Sequence, residues 1–310
     1  MIGNTLLWLS ERQGVFEFIK RHGFSKKLAA RFVAGETLDG AIAAVRSLNA
    51  HGISASLDLL GESVCDERQA ESARDEVIGV LDRIAAAQLD ANVSVKLTQM
   101  GLDIDSEVCV RNMCDVLSSA RQHGIFVRID MEGSTYTERI LRLFSERLHP
   151  EFGDVTGVVI QSYMRRSAGD VDELIEMQAR VRLCKGAYAE PKEVAFQDRG
   201  EVSRSFATLL ERLVERGNYP GIATHDDVLI DHTLAFVERK QIPSERFEFQ
   251  MLYGVRRDLQ DRLRRQGFNM RVYVPFGTQW YPYLMRRLAE RPANIAFITM
   301  SVLKEAMFSK

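Results

Sequence analysis

The side chains that invite chemistry in this sequence stand at the ends of short apolar runs. Lys96 follows Val93–Val95, Asp130 closes Phe126–Ile129, Gln161 closes Val158–Ile160, and Arg182 and Lys185 bracket Leu183 and Cys184. Thr224 with His225, Gln250 with Leu252, and Tyr273 repeat the pattern further along. A scaffold with only a packing role has no need of Lys, Asp, Gln, Arg and His at such points. Together they make a ring of hydrogen-bonding groups, as a ligand site requires. Asp130 suits two roles: orienting Lys96 or a bound cation, or capping the helix that follows. The segment Arg182-Leu183-Cys184-Lys185-Gly186-Ala187-Tyr188 is denser. Strand alternation sends Arg182 and Cys184 to one side and Leu183 to the other. Gly186 lets backbone approach a ligand, and cations beside a glycine turn suit a phosphate or an electron-rich ring. The plainer alternative is an ordinary strand-to-helix turn.

A second constellation lies near the C-terminus. Tyr283, Arg286, Arg287 and Glu290 fall at i, i+3, i+4 and i+7 and share one helix face. Pro282 suits the first turn and Pro292 stops the helix. Two adjacent arginines grip one carboxylate through forked hydrogen bonds. The alternative is a surface ion pair between Glu290 and Arg286, which contributes little.

These groups need a frame, and the periodicity supplies one. Short β-branched runs recur at Ile53–Leu59, Val93–Thr98, Ile125–Asp130, Val158–Gln161, Val181–Cys184, Ile222–Thr224, Phe247–Leu252 and Val272–Pro275, eight in all and apolar enough for burial on both faces. Helical periodicity separates most of them: Gln69–Gln88, Val108–His123, Phe206–Arg216 and Leu229–Lys240. Gly124 and Gly217 stand where helix stops belong. Strands alternating with helices in this way predict a (β/α)8 barrel, whose active site lies at the C-terminal ends of the strands. An open doubly wound sheet would show a Gly-x-Gly-x-x-Gly turn after its first strand, and the sequence has none. Residues 1–50 read as a helical arm within a single domain spanning 1–310, with Thr37 capping Leu38–Asn49. A further helix after the last strand is expected over the barrel mouth. An apolar link, Ile295–Ile298, and a terminal amphipathic helix from Ser301 follow it.

Composition narrows the function classes. A chain of 310 residues with 45% hydrophobic and 27% charged residues buries a large core unaided. A formal charge of −2 gives no positive excess for nucleic acid, and Arg256-Arg257 and Arg262–Arg265 read as a solvated face. The four cysteines form no Cys-x-x-Cys pair and no zinc spacing, so they are expected to be reduced thiols in a cytoplasmic protein with no metal. The apolar stretch Leu6–Leu9 is interrupted at Glu11 and is too short for a signal or a span.

In order and spacing, the segments resemble the proline dehydrogenase family from roughly Thr37 to Ile298. The carriers are Val95-Lys96-Leu97, Arg128-Ile129-Asp130-Met131-Glu132, Val159-Ile160-Gln161-Ser162-Tyr163, Arg182–Tyr188 and Ala223-Thr224-His225-Asp226. Phe249–Gly254, Arg271–Gly277 and the face Tyr283-x-x-Arg286-Arg287-x-x-Glu290 complete them. The resemblance implies a distorted (β/α)8 barrel with FAD at its mouth, oxidising L-proline to Δ1-pyrroline-5-carboxylate in the first step of proline catabolism and passing electrons to a quinone.

It assigns Met131, Gln161, Arg182, Cys184, Lys185, Gly186, Ala187, Thr224 and His225 to the flavin, with Gln250 reaching the isoalloxazine. Lys96, Arg286 and Arg287 would hold the substrate carboxylate, and Asp130, Tyr273, Tyr283 and Leu252 would line the pocket. Asp130 and Arg182 are the catalytic residues it implies. Glu62, after the first strand, is expected to latch a lid by reaching Arg286. Some relatives follow the Lys-Gly-Ala-Tyr turn with Trp, whereas this chain has Ala189, which leaves adenine stacking open. The monofunctional form is expected, since neither a second enzyme domain nor a DNA-binding module is present. Peripheral contact with the inner membrane face is a further expectation. Val302, Leu303, Met307 and Phe308 would serve that contact or pack as core. Two other readings stay open: a flavin-dependent hydroxyproline dehydrogenase, and a carboxylate-binding module without catalysis.

Overall fold

The structure is a computed structural model and describes residues 31–61 and 64–284. Eight strands close into one barrel: β1 Ser54–Leu59, β2 Ala91–Val95, β3 Val127–Ile129, β4 Thr156–Gln161, β5 Arg180–Cys184, β6 Gly221–Ala223, β7 Glu248–Leu252 and β8 Asn269–Phe276. Each pairs in parallel with the next, and β8 returns to β1 through Ser54↔Arg271 to Leu59↔Phe276. The (β/α)8 expectation is borne out strand for strand.

α1 Leu38–Ala50 precedes β1, and the seven crossovers carry the helices α2 Glu67–Ala86, α3 Ser106–His123, α4 Ser134–Leu143, α5 Ser167–Glu176, α6 Arg199–Arg216, α7 Asp227–Lys240 and α8 Arg257–Arg265. Their starts are fixed by side-chain caps that satisfy otherwise orphaned N–H groups. Thr37, Asp66, Asp105, Asp198 and Asp226 each accept a backbone N–H in the first turn of the helix they precede. Gly124 ends α3 at φ 66°, in the left-handed region that favours glycine. Gly217 ends α6 by a different device: its backbone is extended, and an added Cβ would lie 2.6 Å from the Leu213 carbonyl.

The apolar core lies between sheet and helices. Leu57, Val93, Val95, Ile129, Val158, Ile160, Leu183, Phe249, Met251, Val272 and Val274 are buried there. The opposite face of the same strands corrects the expectation of strands apolar on both sides. Inside the barrel stand Ser56, Asp58, Ser94, Arg128, Arg182, Glu248, Gln250 and Arg271, all buried. Gly157 and Gly221 make room for them, because a Cβ on Gly157 would strike Arg128 and the Arg180 carbonyl, and one on Gly221 would strike Gln250.

The arm ends as α1, whose Ala41, Ile42 and Val45 are buried where the helix packs outside β8 and β1. It thus occupies the place on the outer ring where a helix after β8 would otherwise lie. The residues just before it run along the mouth end of β8: Ala34 N donates to Pro275 O at 2.9 Å and Gly277 N donates to Gly35 O at 3.0 Å. The chain after β8 turns helical at Trp280, whose indole donates to Glu36 at 3.1 Å. Tyr283 lies in this turn and is buried. The expected continuation across the mouth, with Arg286, Arg287 and Glu290, lies outside the described residues, as do Glu62, residues 1–30, the link Ile295–Ile298 and the terminal helix.

Candidate active site

The ends of the strands converge on a polar assembly. Arg182, from β5, extends into the barrel interior. Its Nε donates to Gln250 Oε1 on β7, and its Nη1 donates to Asp130 Oδ1 at 2.7 Å just past β3. Its Nη2 lies 3.3 Å from Ser94 Oγ and 3.5 Å from Ser56 Oγ. Tyr273, from β8, donates its hydroxyl to Asp130 Oδ2 at 2.8 Å, and the Arg182 guanidinium sits 5.2 Å from the centre of its ring. Burial and the neighbouring Asp130 carboxylate hold the Tyr273 phenol well above its ordinary value, so the hydroxyl stays protonated and remains a donor.

Asp130 therefore has both oxygens engaged. The capping role expected for it is not realised, since α4 is preceded by Gly133 with no side-chain cap, and Lys96 hydrogen-bonds a different carboxylate. That carboxylate is Asp58 on β1, 3.2 Å from Lys96 Nζ. Burial works to lower the Lys96 pKa, but Asp58 and then Asp130 outweigh it and hold the ammonium above its ordinary value. Lys96 is thus a fixed cation with about a fifth of its side chain exposed.

Beneath this layer lies a second one. Glu248, at the start of β7, accepts from Arg271 Nε at 2.9 and 3.0 Å and from Gln250 Nε2. Burial works against its charge, yet Arg271 beside it holds the carboxyl below its ordinary value. Arg128 is buried among carbonyls, and desolvation together with Arg182 and Arg180 pushes its pKa well down.

The loops at the mouth are tied by ion pairs and hydrogen bonds. Lys185 reaches Asp226 at 2.7 Å and Ser203 at 3.1 Å, linking the β5 loop to the cap of α7. Glu190 accepts from the backbone N–H of Ser134 at 2.7 Å and from its hydroxyl, tying the β5 loop to the start of α4. Glu132 accepts from Thr98 Oγ1 at 2.8 Å, and burial pushes its carboxyl above the ordinary value. His225 Nε2 accepts from Leu252 N at 2.9 Å, which leaves the ring proton of the neutral form on Nδ1.

Gly186 has φ 105°, and its missing Cβ is filled by the Tyr163 ring, 2.5 Å from where that atom would stand. The glycine is thus required by its own backbone and by Tyr163, where the sequence suggested close approach to a ligand. Met131, Gln161 and Thr224 are buried at neighbouring strand ends, while Cys184, Lys185, Ala187, His225 and Leu252 are partly exposed. Gln161 Oε1 is buried and has no hydrogen-bond partner among the described residues.

Several members escaped sequence reasoning: Asp58, Ser56, Ser94, Glu248, Arg271 and Glu190. The signal for Asp58 was present, since Ser54-Ala55-Ser56-Leu57-Asp58-Leu59 alternates strictly between polar and apolar. Among the described residues no group of three or more His, Cys, Asp or Glu is placed to hold a metal, and no helix is long and apolar enough to cross a membrane.

Comparison with known proteins agrees with this geometry. The family model described as proline dehydrogenase matches residues 41–300. Proline dehydrogenase 1 of Bacillus subtilis subsp. natto is 40% identical over 305 residues, covering 98% of this chain and 100% of that protein. Proline dehydrogenase of Deinococcus radiodurans is 39% identical over 304 residues, covering 97% of each. Among solved structures, proline utilization A from Bdellovibrio bacteriovorus, inactivated by N-propargylglycine, superposes with a TM-score of 0.80 at 26% identity, over 85% of this chain and 32% of that much longer one. A barrel with this ring of strand-end residues, matched along nearly its whole length, belongs to the proline dehydrogenase family.

Proposed function

We propose that this enzyme of proline catabolism oxidises L-proline at the mouth of the barrel, using FAD, and yields Δ1-pyrroline-5-carboxylate. The observation that carries the reading is the convergence of Lys96, Asp130, Arg182 and Tyr273 from four strands onto one mouth. The residues there suit a flavin. Gln161 presents a buried polar atom without a partner among the described residues, and Arg182 and Lys185 are cations at strand ends where an electron-rich ring or a phosphate is welcome. Met131, Gln161, Arg182, Cys184, Lys185, Gly186, Ala187, Thr224, His225 and Gln250 would hold it. When bound, FAD supplies the acceptor for the hydride that leaves the proline ring carbon beside nitrogen.

The protein's own part is binding and orientation. Lys96 offers a fixed cation to the substrate carboxylate, and Arg286 and Arg287 would complete the clamp with forked donors. Holding the carboxylate fixes which ring carbon faces the acceptor, and orientation of this kind accounts for a large share of rate acceleration. Tyr273 places its ring against the substrate while its hydroxyl is tied down by Asp130. Tyr283 and Leu252 close the walls. A quinone as electron acceptor, and with it peripheral membrane contact at the inner face, is the part of the proposal that rests on family resemblance.

The test is the colour of the purified protein. Flavin absorption bands at one FAD per chain are expected. A colourless protein that takes up no added FAD would overturn the reading.

A further inference from the structure

The base of the barrel carries a chain of contacts whose direction is fixed by chemistry. Arg271 donates to Glu248, Glu248 accepts from Gln250 Nε2, Gln250 Oε1 accepts from Arg182 Nε, and Arg182 Nη1 donates to Asp130. A carboxylate only accepts and a guanidinium only donates. The amide between them therefore has one allowed orientation, with Nε2 toward Glu248 and Oε1 toward Arg182. All three of Glu248, Gln250 and Arg182 are buried, so no water competes to turn the amide.

From this we infer that Glu248 is a positioning residue for the reaction, acting from the base of the barrel through Gln250 to aim the Arg182 guanidinium at Asp130 and the mouth. Glu248 itself lies one strand repeat below Gln250, at the start of β7, where Tyr219, Gln250 and Arg271 donate to it. Without its negative charge the Gln250 amide is free to turn. Turned, it would present N–H groups to Arg182, donor against donor, and the guanidinium would leave the line to Asp130. Arg271 anchors the other side of Glu248 by donating to the Ala55 carbonyl at 2.7 Å, so the carboxylate does not follow the substrate. The inference rests on the proposed flavin-dependent oxidation of proline, because Arg182 is assigned there to the flavin.

The test compares Glu248→Gln with Tyr219→Phe in the flavin-loaded protein. The Tyr219 hydroxyl also touches Glu248, at 3.3 Å on the other oxygen, but stands outside the chain to Arg182. Anaerobic rapid mixing with proline gives the limiting rate of flavin bleaching and the apparent proline affinity separately. Misplacement of a group by about 1 Å costs on the order of 100-fold in rate. For Glu248→Gln we expect a limiting rate lower by roughly 10- to 100-fold, with proline affinity changed by less than about threefold. Tyr219→Phe should match the unaltered protein. If Glu248→Gln does not fold, Glu248→Asp, which keeps the charge beside Arg271 but is one methylene too short to hold Gln250 Nε2, carries the same comparison and should show the same split. A crystal structure of the variant reports independently of activity: Arg182 Nη1 is expected to have left Asp130. An unchanged limiting rate with the Arg182–Asp130 contact intact would overturn the inference, as would an equal loss in Tyr219→Phe. An unaltered protein that binds no flavin would overturn the proposed function instead, and the crystal structure would still decide this point.

Discussion

Arg182 and Asp130 meet at 2.7 Å, so that the end of β5 is joined to the end of β3 across the mouth of the barrel. The pair is nearly closed to solvent, with 8% and 14% of the two side chains exposed. Tyr273 takes the second oxygen of the same carboxylate. One carboxylate thus sets the direction of a cation and of an aromatic wall that come from opposite parts of the sequence.

Replacing Asp130 with Ala should therefore damage two groups together. Breaking a buried ion pair by removing one partner destabilises by about 3–5 kcal/mol, because the remaining charge is left uncompensated. A lower melting temperature is expected, with kcat/KM for proline lower by on the order of 100-fold. Steady-state kinetics and thermal melting check both. A variant with native stability and native kcat/KM would show that the contact does not set the site.

Asp58 governs a different property, the charge of Lys96. With Asp58 present, the Lys96 ammonium is held above the ordinary value of 10.5. The stability this pair contributes is fully present below that value and is lost only as pH rises through the raised folded value. In Asp58→Asn the leading cause that raises the Lys96 pKa is gone and burial, which lowers it, remains. The alkaline limb of kcat/KM for proline should move to lower pH in the variant. A pH profile that superposes on that of the unaltered protein would remove Lys96 from carboxylate binding.

How much of this was legible beforehand differs by layer. Outward-facing residues such as Val93, Val95, Ile129 and Leu183 form the apolar runs that announced the strands, and Thr37 announced α1. The apolar runs begin after the strand itself at β2, β4, β5, β6 and β8, because Ala91-Asn92, Thr156-Gly157, Arg180, Gly221, and Asn269 with Arg271 break the apolar pattern while still pairing in the sheet. The inner layer was not legible as a layer. Glu248 and Arg271 look like interruptions until closure places Glu248 beside Asn269 and Gln250 beside Arg271. The strand-end residues Lys96, Asp130, Arg182 and Tyr273 were legible individually. Their partners were not, since Asp58 precedes Lys96 by 38 residues and Arg182 precedes Gln250 by 68.

The proposed carboxylate clamp of Arg286 and Arg287 falls outside the described residues and is open to test by substitution. Arg286→Met or Arg287→Met keeps the stem and removes the fork. Truncating one partner of a buried charge pair costs about 2–5 kcal/mol, and a loss of that size in kcat/KM for proline is expected with FAD content kept. Steady-state kinetics and the ratio of flavin to protein absorbance check it. Unchanged kcat/KM in both variants would refute the clamp.

The proposed site makes Tyr273 the residue on which substrate choice is expected to rest. Its ring is expected to leave no room for a hydroxyl on the proline ring, so proline should be preferred over trans-4-hydroxyproline by roughly 10- to 200-fold in kcat/KM. Tyr273→Ser should narrow that ratio, mainly by weakening proline. Tyr273→Phe removes only the hydrogen bond to Asp130 and should keep the ratio. Both substrates on all three proteins, with melting temperatures alongside, decide it. A ratio unmoved by Tyr273→Ser would place the ring in a purely structural role.

The central claim, that the barrel mouth oxidises proline with a bound flavin, is tested most directly by anaerobic titration of the purified protein with L-proline while its visible spectrum is recorded. The account predicts flavin bands that bleach on addition of proline, with one Δ1-pyrroline-5-carboxylate formed per flavin reduced. Bands that persist at saturating proline, or a protein with no bands even after incubation with FAD, would contradict it.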